Sequence, residues 1–168
     1  MKLGTETSLD KIGYMTDLNS MVHNSETQIN DIKKARALLK SVIKSKPDST
    51  SGWIALARIE ELDGKIKEAR NILDQACQKF LTSEDVWLEA ARLTPPDKVG
   101  GFLAKAVQNM PTSKKLWMMA ARKEEDSKLK AKVFRKALEQ LPQEIDLWKE
   151  CVKLSEPDEA KQLLARAV

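Results

Sequence analysis

Few residues in this chain are equipped for chemistry, and they are scattered. The single histidine, His23, has no cysteine within 50 residues; Cys77 and Cys151 lie 74 residues apart. No tetrahedral metal set has that spacing, so neither a metal nor any other cofactor is expected. Two distant thiols in a chain of 168 residues point to a reducing compartment, not to a disulfide framework. Acidic pairs stand at Glu60-Glu61 and Glu124-Glu125. General acid–base catalysis needs two titratable groups in one cleft. These pairs instead recur at a structural spacing and are expected to contact adjoining helix ends. Gly100-Gly101 is an isolated pair without a phosphate-loop context. It is expected to let helices approach closely, at about 1 kcal/mol of helix propensity per glycine. No enzyme is expected from this set.

Charge is the stronger signal. The net charge is +4, and residues 114–136 carry +6 of it, leaving −2 for the remainder. The basic residues there are Lys114, Lys115, Arg122, Lys123, Lys128, Lys130, Lys132, Arg135 and Lys136, opposed by Glu124, Glu125 and Asp126. A run of this kind can meet RNA, DNA or an acidic protein, or can simply be a solvated helix face. Affinity for single-stranded RNA through it alone is expected to be weak and steeply salt-dependent.

These residues must be positioned by helices. Ala, Leu, Glu, Lys and Arg make up nearly half of the chain, with only six Gly and six Pro. That composition excludes a turn-rich sandwich or barrel. No apolar run approaches the ~20 residues of a membrane span, and no apolar secretory segment follows Lys2. Four tryptophans, Trp53, Trp87, Trp117 and Trp148, are spaced 34, 30 and 31 residues apart. Other columns keep that frame. Pro47, Leu81, Pro111 and Pro142 stand six residues before them; Ala57, Ala91, Ala121 and Val152 stand four after. A second small-residue column runs Ala76, Ala106, Ala137 and Ala167. A period of 30–34 residues marks a helical repeat array.

Each unit reads as two helices. Helix A opens at a small polar residue that can cap its free N–H groups: Ser49 to Ser51, Ser83, Thr112 or Ser113, and Asp146. Trp53, Leu56, Ala57 and Glu60 fall on one helical face. Turns follow at Asp63-Gly64, Pro95-Pro96, Asp126-Ser127 and Glu156-Pro157, and helix B returns through segments such as Ala69–Leu73, Ala131–Arg135 and Ala160–Leu164. The extra length of the first unit is assigned to its A–B turn. A lone helix pair cannot bury both faces, so neighbouring pairs must stack into a continuous core. Tryptophan then fills the gap between helices and alanine sets their close approach. A base-stacking platform is the functional alternative for the tryptophans.

This gives an all-α array with a leading helix over 30–45, capped by Asn30 or Asp31, and units at about 48–80, 82–110, 112–141 and 143–168. Residues 1–28, rich in Thr, Ser, Asn and Gly, read as a flexible extended arm, with one short amphipathic turn around Leu18, Met21 and Val22. The last helix carries Ala160, Leu163, Leu164, Ala167 and Val168 at helical spacing, a stripe wide enough to serve a further unit. The expectation is a piece of a longer array, self-associating through its C-terminal end or fraying there.

The Trp-x-x-x-Ala column, the helix-B alanine column and the proline five residues on resemble the tetratricopeptide (TPR) superfamily. The shorter later units are more similar to its half-a-TPR (HAT) variant: Trp117, Ala121 and Glu124-Glu125 match that pattern, as do Trp53, Ala57 and Glu60-Glu61. The second unit departs at Thr94-Pro95, and the fourth at Val152 and Ser155. The segments Gly13–Met21, Ile29–Arg36 and Ser83–Leu93 resemble the start of the HAT array in splicing factors of the pre-mRNA-processing factor 6 type. The resemblance implies an α-solenoid of TPR/HAT-like helical-hairpin repeats. It also implies a nuclear, non-enzymatic scaffold that bridges components of the spliceosomal tri-snRNP, with snRNP proteins as partners. A direct RNA-binding module using residues 114–136 is the alternative.

Overall fold

The computed structural model describes residues 11–167, and side chains over 26–162 and at 165. The described chain is a succession of α-helices: α1 (Lys11–Ser45), α2 (Thr50–Leu62), α3 (Ile66–Lys79), α4 (Glu84–Leu93), α5 (Val99–Asn109), α6 (Lys114–Lys123), α7 (Ser127–Gln140), α8 (Ile145–Lys153) and α9 (Pro157–Ala167). Each helix packs on the next, and α2, α4 and α6 also pack side by side. The arrangement is an α-solenoid in which α2, α4, α6 and α8 are the A helices, and α3, α5, α7 and α9 the B helices.

The core follows the repeat frame. Ala57, Ala91 and Ala121 on the A helices and Ala76, Ala106 and Ala137 on the B helices are buried, with Leu73, Leu103, Leu116 and Leu147 filling between them. Small side chains at the crossing points let the backbones close up, and the leucines supply the apolar area that drives the stacking. Val152 is half-buried; the side chain of Ala167 lies outside the described residues.

The proline column has a local cause. At the B-to-A junctions the amide of Ser49, Ser83, Ser113 or Glu144 donates to the carbonyl of Lys46, Phe80, Met110 or Leu141, at 3.1–3.3 Å. These are β-turns, and Pro47, Leu81, Pro111 and Pro142 occupy their second position, where proline's fixed φ is already correct. The turn then leaves the carbonyl of that second residue free. Each tryptophan takes it. The indole Nε1–H of Trp53 donates to the Pro47 carbonyl at 3.3 Å, and Trp87 does so to Leu81 at 3.0 Å. Trp117 and Trp148 reach Pro111 and Pro142 at 2.8 and 2.7 Å. The six-residue spacing of the two columns is this bond.

Four expectations are corrected. Helix α1 begins at Lys11, so residues 11–28 are helical rather than an extended arm, and Asn30 and Asp31 lie mid-helix. No proline occurs before Pro47, and Gly4 and Gly13 are the only glycines there, so nothing stops the helix. The side chains of Leu18, Met21, Val22 and His23 lie outside the described residues. The first unit's extra residues lie in α2, which has 13 residues against 10, 10 and 9 in the later A helices. Its last turn closes on Gly64, whose φ of +76° suits glycine at a helix C-terminus. Glu144, not Asp146, is the residue preceding α8. Finally, a methyl group at Gly100 or Gly101 would meet open space, so that pair permits no close approach. Gly52 instead faces a neighbour, buried against Val42 and Ile43 of α1 at distances where a methyl group would make ordinary contact.

Candidate interaction groove

The inner faces of α2, α4 and α6 line an open groove of about 1550 Å³. The A helices enter it in the same rotational phase, so each groove position is a column of the repeat. The residue after each of the first three tryptophans forms the floor: Ile54, Leu88 and Met118, with Met119 beside them. All four are half-buried. The residue five after each tryptophan forms one edge: Arg58, Arg92 and Arg122. Lys153 holds the corresponding place on α8. These cations lie towards the C-terminal ends of the A helices, where the partial negative charge of the helix end favours them.

Ion pairs cross between units along this edge. The Arg58 guanidinium forks onto Glu89, with Nε to Oε1 at 2.9 Å and Nη2 to Oε2 at 3.2 Å. Arg92 reaches back to Glu61 in the preceding unit and sideways to Glu89 at 2.9 Å. Two arginines on one nearly buried carboxylate hold Glu89 at a pKa of about 2, the hydrogen bond from Arg58 outweighing the opposing effect of burial. Glu61 is lowered for the same kind of reason by Arg92. Arg122 has no ion-pair partner among the described residues, and neither has Lys123 beside it.

The acidic pairs divide. Glu60 is buried and accepts a two-pronged hydrogen bond from Arg36 of α1, at 2.6 and 3.0 Å. Arg36 also binds Asp63, so this ion pair ties the end of α2 to α1. Glu124 and Glu125 make no ion pair among the described residues. The column that bears Arg36 and Arg70 in the two earlier helices is Gly100 in α5, which removes the cation that Glu124 would meet. The expectation of contacts to adjoining helix ends therefore holds for Glu61, which meets Arg92 in the last turn of α4, whereas Glu60 meets the body of α1 and the second pair forms no ion pair among the described residues.

The basic stretch 114–136 is divided as well. Lys114, Lys115, Arg122 and Lys123 line the groove, but Lys114 is paired with Glu144 and Asp146, and Lys115 with Glu84. The other five lie on α7, where Arg135 is bound to Glu159. Lys128 and Lys132 are exposed and Lys130 is half-buried. Lys136 borders a separate hollow of about 540 Å³ shared with Pro111 and Trp117. Nine cations adjacent in sequence thus form no single surface.

The tryptophans are placed in the packing. Trp87 and Trp117 are buried, while Trp53 and Trp148 are half-buried with their indoles bonded to backbone. Trp53 meets Phe80 edge-on, and Trp87 is tilted against Phe102 at 5.4 Å between centroids. Cys77 and Cys151 are buried free thiols, and burial pushes Cys77 up to about 12, far from a reactive thiolate. No group of three or more metal-ligating side chains occurs among the described residues. No described helix is long and apolar enough to cross a membrane. Arg122 belongs to the basic run, but Arg58 and Arg92 lie outside any run of charge; the column is legible on the tryptophan frame, five residues after each of the first three.

Stacked helix pairs, indole-clamped turns and a groove lined by three successive A helices define a TPR-like repeat array. Residues 50–93 match the tetratricopeptide repeat family model. The fold is similar to the crystal structure of MamA protein, with a TM-score of 0.51 over 92% of this chain and 91% of that one, at 14% identity. In sequence the chain is 46% identical to protein STABILIZED1 of Arabidopsis thaliana over 163 residues, 97% of this chain and 16% of that protein. It is 50% identical over 105 residues to human Pre-mRNA-processing factor 6, covering 62% of this chain and 11% of that protein. It is 44% identical over 134 residues to Pre-mRNA-splicing factor prp1 of Schizosaccharomyces pombe, 80% of this chain and 15% of the relative. The chain belongs to the HAT-repeat family of the pre-mRNA-processing factor 6 type. It spans about a sixth or less of the length of these relatives.

Proposed function

We propose that this chain is a non-enzymatic interaction module of a nuclear pre-mRNA splicing factor, and that it bridges protein components of the tri-snRNP. The observation that carries the reading is sequence identity of 44–50% to relatives named as pre-mRNA processing and splicing factors. The architecture supports it physically. A rigid stack of helix pairs offers a long contact surface at little entropic cost, because its backbone is already ordered before a partner arrives. The Arg36–Glu60 and Arg58–Glu89 pairs, each built on a buried carboxylate, tie neighbouring helices together and so help to fix the shape of the groove.

Affinity purification of the tagged chain from nuclear extract at physiological salt, read by mass spectrometry, tests this. Enrichment of tri-snRNP proteins that survives ribonuclease treatment is the expected result. Recovery of no splicing proteins would refute it. Recovery abolished by ribonuclease would point instead to RNA as the bridging ligand.

A further inference from the structure

We infer that the groove over α2, α4 and α6 docks an acidic amphipathic segment of a partner protein, with carboxylates on the arginine edge and apolar side chains on the Ile54–Leu88–Met118 floor. The inference rests on the interaction-module reading above and deepens it. Two independent features converge. The floor is a row of half-buried apolar side chains, one from each of the first three units, ending in the adaptable thioethers of Met118 and Met119. The edge is a row of guanidiniums, one per unit, whose geometry suits carboxylates.

The edge is not uniformly available. Arg58 and Arg92 already share Glu89, and Arg92 also holds Glu61. Arg122 has no such partner among the described residues: the column of Glu89 holds Met119 in α6, the column of Glu61 holds Pro95 in the preceding unit, and Glu150, which fills the Glu89 column in α8, is bound to Lys153. Charge is therefore satisfied internally in the first two units and left open in the third. A partner carboxylate gains most at Arg122, with Lys123 adjacent. Neighbouring packed helices lie about 8–10 Å apart. A docked segment should therefore repeat its apolar and acidic residues at about 10 Å, which is i, i+7 on a helix at about 1.5 Å per residue. Single-stranded RNA is held by bases stacking on aromatic side chains, and the groove lining carries none, which is why the observations favour a protein segment over RNA.

The test uses the full chain and a fluorescein-labelled 14-residue amphipathic peptide of Leu, Ala and Glu, with Glu at i and i+7. Two controls of identical length replace Glu by Gln or by Lys. Binding is read by fluorescence anisotropy, and Met118 and Met119 methyl shifts locate the site. The Glu peptide is expected to bind at least about tenfold more tightly than the Gln peptide, which in turn exceeds the Lys peptide. Arg122→Glu should weaken the Glu peptide by about tenfold or more, and Arg122→Gln by less. Lys136→Glu, in the separate hollow, should leave binding unchanged. Arg122 is exposed, and circular dichroism identical to the parent certifies the fold of its variants. Equal binding of the Glu and Lys peptides would overturn the proposal, as would insensitivity to Arg122→Glu or displacement of the peptide by a ten-residue oligouridylate. The nuclear purification separates the two readings. If Arg122→Glu recovers every splicing protein that the parent does, the groove assignment fails and the scaffold stands. If the parent recovers none while the peptides discriminate as expected, the scaffold fails and the groove stands.

Discussion

Trp117 joins three features of the fold: it is 8% exposed, it belongs to the continuous core, and its indole is bonded to the Pro111 carbonyl at 2.8 Å. Replacing it by alanine removes about 150–250 Å² of buried aromatic surface. At about 25 cal/mol per Å² that is roughly 4–6 kcal/mol, and the compactness of real unfolded chains lowers it to about 3–4 kcal/mol. The lost hydrogen bond adds about 1 kcal/mol. The total of about 4–5 kcal/mol falls at the upper end of measured large-to-small aromatic changes. With a urea slope of about 2 kcal/mol per molar, the midpoint should fall by about 2 M. Trp117→Phe keeps one ring and loses the bond, so it should cost about 1–2 kcal/mol. Trp53→Ala should cost less than Trp117→Ala, because Trp53 is half-buried and its bond is longer at 3.3 Å. Far-ultraviolet circular dichroism in urea checks all three without relying on the mutated fluorophore. A Trp117→Ala midpoint within error of the parent would refute the packing argument, and equal costs for Trp117→Phe and Trp117→Ala would refute the division between ring and bond.

Ala121 is fully buried whereas Ala120 is half-buried beside a hollow. Ala121→Leu should therefore destabilise by about 1–3 kcal/mol and Ala120→Leu by clearly less, as thermal melts would report. Gly64→Ala should destabilise by about 1 kcal/mol because φ there is +76°. Gly101→Ala, with open space around the new methyl, should stabilise by about 0.5–1 kcal/mol in the same denaturation assay. Glu89, held at about 2 by Arg58 and then Arg92, contributes stability that is complete above the ordinary carboxylate value of ~4.3 and is lost as pH falls towards 2. Glu89→Gln should therefore be less stable than the parent at pH 7 and should lose less on going from pH 5 to pH 2; parallel losses in the two proteins would count against the assignment.

Much of the architecture was legible because its signal is periodic. Four tryptophans and two alanine columns set phase, helix count and stacking order from spacing alone, and a repeat frame averages over local ambiguity. What was not legible depended on single positions. Whether the first unit's extra residues extend a helix or a loop is decided by where Gly64 admits a positive φ, not by the count of residues between Trp53 and Ala76. Gly100-Gly101 suggested close packing, yet both face open space while Gly52 faces α1, since only tertiary structure shows which glycine meets a neighbour. The candidate site was hidden by the habit of reading charge along the chain. The run 114–136 spreads over two helices and several ion pairs, whereas Arg58, Arg92 and Arg122 are distant in sequence and side by side in space. Extrapolating the tryptophan frame by five residues would have found them.

The indole clamp also bears on how such an array can change length over generations. The bond from each tryptophan runs to a main-chain oxygen, so the residue that owns the oxygen is free to vary, as Leu81 among three prolines illustrates. The number of residues between them is not. One inserted or deleted residue at a B-to-A junction would rotate the ring about 100° around its helix and away from its acceptor. The A-to-B loops carry no such tie, and they already differ, with three residues between α2 and α3 and five between α4 and α5. Insertions should therefore collect on one end of the helical hairpins and be purged from the other, leaving one rim of the solenoid open to diversification and the opposite rim metrically frozen.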